Sequence, residues 1–284
     1  MKRRTHITNQ YGSTLDVPFD EFSSFLRGAA LAPSKIHEAF ESDSTNYFTE
    51  KGTNLKDHPN LRPVQPLRLL QGLKAFDVIE QSIRELLLNE HKILSLGGDH
   101  SVTYPIVKAF ASKYKNLNIL HLDAHPDLYD EFDGNKFSHA CPFARIMEEG
   151  LAIRLVQVGI RTMNQHQLEQ AEKFGVEVIA MRDWQDSYHF DFEGPVYLSL
   201  DMDAIDPAFA PGVSHPEPGG FTSRQVISML QNLEPNVVGA DIVEFNPTRD
   251  PSGITAMLAA KLYKELLDLL LLTNPEPGTP NSEL

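Results

Sequence analysis

Short apolar runs recur along this chain at 93–96, 119–122, 155–158, 176–179, 196–200 and 237–240, and stretches of helical periodicity separate most of them. Runs this short and this apolar predict strands buried on both faces. Strands that alternate with helices predict βαβ units and a parallel sheet covered by helices on each side, an α/β fold. Helices are expected near 70–88, where Phe76, Ile79, Ile83 and Leu87 share a face, and over 101–115, 142–149, 165–174, 223–233 and 254–272, with a shorter one after Pro33-Ser34. The first 60 residues are polar and punctuated, and the segment around His58-Pro59-Asn60 and Pro63 reads as a connection. With no composition break from 20 to 272, residues 1–272 are expected to form one domain, and the proline-containing 273–284 a loosely ordered tail.

Lys and Arg number 25 against 39 Asp and Glu, a net charge of −14. That field repels phosphate backbones and argues against nucleic acid as the main partner, while suiting divalent metals or a small cationic substrate. No apolar run reaches the roughly 18–20 residues of a membrane helix, so no membrane partner is expected. The N-terminal Lys2-Arg3-Arg4 has no apolar stretch behind it, and Cys141 is the single cysteine, so neither a secretory leader nor a disulfide is expected. The compartment expected from these features is a reducing cytoplasm.

The chemistry-bearing residues stand where the apolar runs stop. Asp99-His100 follow the first; Asp123, His125 and Asp127 the second; Asp201 and Asp203 the run at 196–200; Glu244 the run that begins at Val237. Ligands of open parallel sheets gather beyond the carboxyl ends of strands, so these clusters are expected to meet. Alternate positions of extended chain share a face, which lets Asp123, His125 and Asp127 point together, and Asp201 with Asp203. Four Asp and two His make an oxygen-rich donor set better suited to Mn²⁺ than to structural zinc. Taken singly, each has an ordinary role: an Asp after a strand is usually a cap, Gly97-Gly98 a tight turn, Asp206-Pro207 turn chemistry, His121 a buried hydrogen-bonded histidine, and Cys141 a small core residue. The combination is what favours a metal centre.

Gly97-Gly98-Asp99-His100-Ser101, Asp123-Ala124-His125-Pro126-Asp127 and Ser199-Leu200-Asp201-Met202-Asp203-Ala204-Ile205-Asp206-Pro207 resemble, in order, the motifs of the ureohydrolase family of arginases, agmatinases and related amidinohydrolases. Ser23-Ser24-Phe25-Leu26, the stretch 134–140, Ala210-Pro211-Gly212-Val213-Ser214-His215 and Asp241–Pro247 look closest to the plant-type arginase branch. The resemblance implies a three-layer α/β/α fold with a mainly parallel sheet of about eight strands, and a trimeric or hexameric homo-oligomer. It implies two Mn²⁺ per chain, one held by His100, Asp123, Asp127 and Asp201, the other by His125, Asp123, Asp201 and Asp203; nickel or another divalent ion fits the same donors. It further implies that a metal-bridging hydroxide attacks the guanidino carbon of arginine or agmatine, giving urea and an amine. In that reading Glu244 grips the guanidinium, Asp127 carries the proton to the leaving amine, and His139 exchanges protons with solvent.

The distal end of the substrate is expected against the loop 128–138, with Asn135, Lys136 and Ser138 as donors and His139 beside them; Asp130, Glu131 and Asp133 would instead suit a second cation. Animal arginases place an Asp where this chain has Asn164, a further substrate-binding candidate. The family's Asp-x-Gly-Asp strand is lacking around 58–67, so an edge strand is expected to be missing or altered. Guanidinobutyrate and guanidine are the alternative substrates. A silent metal-binding homologue and a mononuclear zinc deacetylase on the same fold are the alternative classes, separable by metal count.

Overall fold

A computed structural model describes residues 11–233 and 236–271. In chain order the elements are β1 (Tyr11–Asp16), α1 (Ala32–Phe40), β2 (Leu61–Arg62), α2 (Leu73–Leu88), β3 (His91–Leu96), α3 (Thr103–Lys113), β4 (Asn118–Leu122), α4 (Pro142–Glu148), β5 (Arg154–Ile160), α5 (Gln165–Phe174), β6 (Glu177–Ala180), β7 (Val196–Asp201), α6 (Ser223–Gln231), β8 (Val237–Val243) and α7 (Ile254–Leu271). The strands form one eight-stranded sheet in the order β2-β1-β3-β8-β7-β4-β5-β6, and every pairing is parallel. The expected tail 273–284 lies outside the described residues.

The pleat divides the strands' side chains between two cores. Leu94, Leu120, Leu198 and Ala240 pack under α1, α6 and α7; Ile93, Ile119, Tyr197 and Leu15 pack under α2, α3, α4 and α5. This gives the expected three layers. Two elements escape the sequence pattern. β1, Tyr-Gly-Ser-Thr-Leu-Asp, is polar at half its positions and is a strand because it pairs with β3 along its whole length. The segment lacking the Asp-x-Gly-Asp pattern becomes β2, an edge strand of two residues that pairs only with Gly12 and Ser13. Among the described residues no helix is long and apolar enough to cross a membrane.

The strand order decides where chemistry occurs. β3, β8, β7 and β4 are adjacent and parallel, so their carboxyl ends lie side by side along one edge of the sheet. Clusters as far apart in sequence as Asp99 and Glu244 therefore face one crevice.

Candidate metal centre

Gly97-Gly98 lets the backbone leave β3 through a space that no side chain fits. A Cβ at Gly98 would stand 1.7 Å from the Phe19 carbonyl oxygen, and one at Gly97 2.7 Å from Val243. Close approach requires these glycines, beyond any turn preference. Asp99 then caps the following turn through Ser101 N–H at 3.1 Å, and its other oxygen accepts Phe22 N–H at 3.0 Å and the Ser23 hydroxyl at 3.2 Å. It anchors the 22–24 loop over the crevice and holds no metal-facing position.

His100 is the pivot of the site. Its Nε2 lies 3.0 Å from Ser199 Oγ, and Ser199 donates to Asp241 Oδ1 at 2.7 Å, so the serine must accept from His100 Nε2–H. That tautomer leaves Nδ1 bare. Nδ1 lies 3.2 Å from Asp123 Oδ2, 3.0 Å from Asp127 Oδ2 and 3.2 Å from Asp201 Oδ2, yet it is buried with no partner in hydrogen-bonding geometry. A second group repeats the pattern: His125 Nδ1 lies 3.0 Å from Asp203 Oδ2 and 3.4 Å from Asp123 Oδ1. Neighbouring ligands of an ion bound at about 2.0–2.2 Å lie ~3 Å apart, so these spacings suit atoms that share an ion better than atoms that share a proton. The residues present fit two divalent cations.

The electrostatics agree. Burial pushes Asp201 well above the usual carboxylate range, and neighbouring Asp203 and Asp123 push it further. Asp203 rises to about 6 through burial, with His125 opposing and Asp123 adding to the rise. Carboxylates packed this closely stay ionised together only around positive charge. His121, though its ligand atom lies within reach of those of His100 and Asp123, is committed elsewhere. Gln157 Nε2 meets its Nδ1 at 3.1 Å, and its Nε2 meets Asp123 Oδ2 at 2.8 Å. It orients Asp123, in keeping with the hydrogen-bonded role expected for it.

Glu244 and His139 stand beside this cluster. His139 Nδ1 lies 2.9 Å from Glu244 Oε1, which also accepts His100 N–H at 2.9 Å, and His139 Nε2 lies 2.8 Å from Ser24 Oγ. Burial works against a charged His139, but Glu244 outweighs it and raises the imidazole to about 9. Burial likewise pushes Glu244 up, and His139 more than reverses it, holding the carboxyl below its usual range. Asp127 and Glu244 both adopt left-handed backbone, φ 48° and 62°, where side chains with a Cβ are strained. Two such residues at one crevice mark a site whose geometry the surrounding packing enforces.

A cavity of about 190 Å³ opens on the cluster, reached by His125, Asp127, His139, Asp201, Asp203 and Glu244. Asn135, Ser138 and Asn164 lie outside its lining. Asn135 accepts Phe137 N–H at 2.9 Å, Ser138 accepts Ala140 N–H at 3.4 Å, and Asn164 caps α5. Lining residues given no site role from the sequence are Ser24 and His215, which stand in the quoted motifs, Tyr129 and Phe132, which fall in the loop 128–138, and Thr162 and Gln167. The Asn-x-x-Gln spacing of a capping box at 164–167 was the available signal for Gln167.

The fold and its crevice thus define an α/β protein with a carboxylate–imidazole centre at the ends of four adjacent strands. The chain belongs to the Arginase family, which it matches over residues 13–268, and is a ureohydrolase of the arginase or agmatinase type. It is 50% identical over 272 residues to "Arginase 1, mitochondrial" of Arabidopsis thaliana, covering 89% of this chain and 79% of that one. It is 37% identical to the N(1)-aminopropylagmatine ureohydrolase of Thermus thermophilus, covering 82% of each. The solved arginase of Medicago truncatula superimposes with a TM-score of 0.85 at 43% identity, covering 92% of this chain and 88% of the other. These relatives correct the expected cytoplasmic location, because the Arabidopsis and Medicago enzymes are named mitochondrial. The expectation rested on the lack of an apolar leader and on a single cysteine, whereas organellar transit segments are amphipathic and basic rather than apolar.

Proposed function

We propose that the protein hydrolyses the guanidino group of a small cationic substrate, arginine or agmatine, to urea and an amine, with two divalent ions, manganese by donor type. His100, Asp123, Asp127 and Asp201 would hold one ion, and His125, Asp123, Asp201 and Asp203 the other. The observation that carries this reading is the bare, buried His100 Nδ1 facing three carboxylate oxygens at 3.0–3.2 Å. Bound divalent ions supply a water that ionises near neutral pH. Four ligand aspartates balance two such ions, so the charge of Glu244 is set against His139 and the incoming substrate rather than against the metals.

The side chains divide the remaining work. Glu244 has one oxygen committed to His139 and His100 N–H, and its other oxygen is available for a charge-assisted bond to a guanidinium. Asp127 holds the proton destined for the leaving nitrogen, without which an amine leaves poorly. His139, protonated at neutral pH through its pairing with Glu244, returns a proton to the departing amine and recovers it from solvent. The relatives named arginase favour arginine, and the relative named N(1)-aminopropylagmatine ureohydrolase keeps guanidino amines as a second reading. A trimeric or hexameric assembly belongs to the same proposal.

The test is urea release by Mn²⁺-loaded protein given arginine, agmatine, guanidinobutyrate and guanidine separately, with metal counted per chain. Two ions and urea from arginine or agmatine are expected, and Asp127→Asn should stay folded with activity near background. Full activity of that variant, or one ion per chain, would overturn the mechanism.

A further inference from the structure

Beyond the carboxylate cluster, no Lys or Arg and no further Asp or Glu among the described residues lines the cavity. Beside the imidazoles of the cluster and His215, what remains includes neutral groups whose hydrogens can be assigned. Gln167, the third residue of α5, is 2% exposed. Its backbone N–H donates to Asn164 Oδ1 at 3.0 Å, and its own Oε1 accepts Asn164 N–H at 3.3 Å. The capping box therefore fixes the carboxamide with oxygen toward the helix end and Nε2 away from it. Both Nε2 hydrogens lack an acceptor among the described residues, and the side chain lines the cavity. The other end of Asn164 sets a second donor: its Nδ2 donates to the Tyr129 phenol oxygen at 2.6 Å, which leaves the phenolic hydrogen unused.

These donors discriminate between substrates. An ammonium has only hydrogens to offer, and Nε2 of Gln167 has only hydrogens to offer back. A carboxylate accepts from both the amide and the phenol, and desolvating unpaired donors on binding would otherwise cost affinity. Thr162 is of opposite sense: its hydroxyl hydrogen is engaged by the Ala124 carbonyl at 3.3 Å, leaving lone pairs for an amine. We propose that Gln167, with Tyr129 as second donor, is the specificity-determining residue that reads a carboxylate at the substrate end remote from the guanidinium, making the substrate a guanidino acid such as arginine rather than a guanidino amine such as agmatine. This rests on the guanidino-hydrolase reading above. Asn164 is then a positioning residue, acting through the two side chains it orients.

The decisive variant is Gln167→Glu, which keeps the capping-box acceptor and replaces the donor nitrogen by a charged oxygen. Its KM for arginine should rise by about 10- to 100-fold with kcat far less changed, the range for one hydrogen bond to a charged group. Agmatine should gain relative to arginine. Tyr129→Phe keeps both capping-box bonds of α5, losing only the Asn164 Nδ2 contact to the phenol, and should raise the arginine KM by a smaller factor, a second route should the first variant fold poorly. Calorimetry with the products gives a readout without turnover. The Mn²⁺-loaded wild type should bind ornithine in preference to putrescine, and Gln167→Glu should lose or invert that preference. A wild type that prefers agmatine and putrescine, or a preference that neither variant alters, would overturn the assignment. Discrimination between the products without urea release from any guanidino compound would sustain this subsite while sinking the proposed reaction.

Discussion

The buried relay behind His100 gives the sharpest prediction. Asp241 accepts Ser199 Oγ at 2.7 Å, Tyr197 OH at 2.7 Å and Thr103 Oγ1 at 2.8 Å, and Asp241, Ser199, Tyr197, Thr103 and His100 are all fully buried. Ser199→Ala removes the one atom between Asp241 and His100. It orphans a buried N–H, costing about 1–3 kcal/mol, and deletes a charge-assisted bond worth about 1.5–3 kcal/mol. Together these amount to about 2.5–6 kcal/mol, a large share of a typical ~5–15 kcal/mol fold stability. The imidazole also loses what fixes its tautomer, and disrupting such an outer partner typically weakens metal affinity about 10- to 100-fold. Thr103→Val is the control, since it deletes another bond to Asp241 without touching His100. Denaturant titration of metal-depleted protein should show both variants destabilised, and Mn²⁺ titration should show weakened binding only in Ser199→Ala. Wild-type metal affinity in Ser199→Ala, or equal weakening in Thr103→Val, would refute the relay.

Two further outcomes follow from the site's charges and anchors. Glu244→Gln should lower the His139 pKa from about 9, because burial then loses its largest opponent and only Asp127 and Asp99 still raise the imidazole; NMR titration in metal-depleted protein measures it. Since the folded pKa lies above the unfolded one, this pair stabilises fully below pH 6.5 and its contribution is lost as pH rises through about 9, so the wild type but not the variant should lose thermal stability from this source across that window. Asp99→Ala should release Phe22 N–H and Ser23, destabilise by about 2–4 kcal/mol, and speed tryptic cleavage after Arg27; an unchanged cleavage rate would show the loop is held by other contacts.

The central strands were legible because both their faces are buried, so β3, β4, β7 and β8 read as short apolar runs broken only by a few buried polar residues such as His121, Ser199 and Asp241. α5 was legible to the residue, between the Asn164 cap and left-handed Gly175. β1 was not, since its strand character comes from pairing with β3 rather than from its own residues, and β2 is too short to carry a pattern. The loop 128–138 was legible only in part. Asn135 and Ser138 lie in the expected stretch and accept local backbone N–H groups, which leaves their amide and hydroxyl hydrogens to donate, but neither lines the cavity.

Local chemistry is written along the chain: which residues make strands, where strands stop, and which carboxylates and imidazoles stand at those ends. Those choices depend on neighbours a few positions away, and the sequence by itself determined them. The tertiary structure alone decided that β3, β8, β7 and β4 lie adjacent, that Ser199 and Asp241 back His100, that Ser24 reaches His139, and that Gln167 rather than Asn164 lines the cavity. Each of these depends on strand order or on which hydrogen a side chain has already given away. Both are settled by partners dozens of residues distant, or by a cap only the folded helix forms.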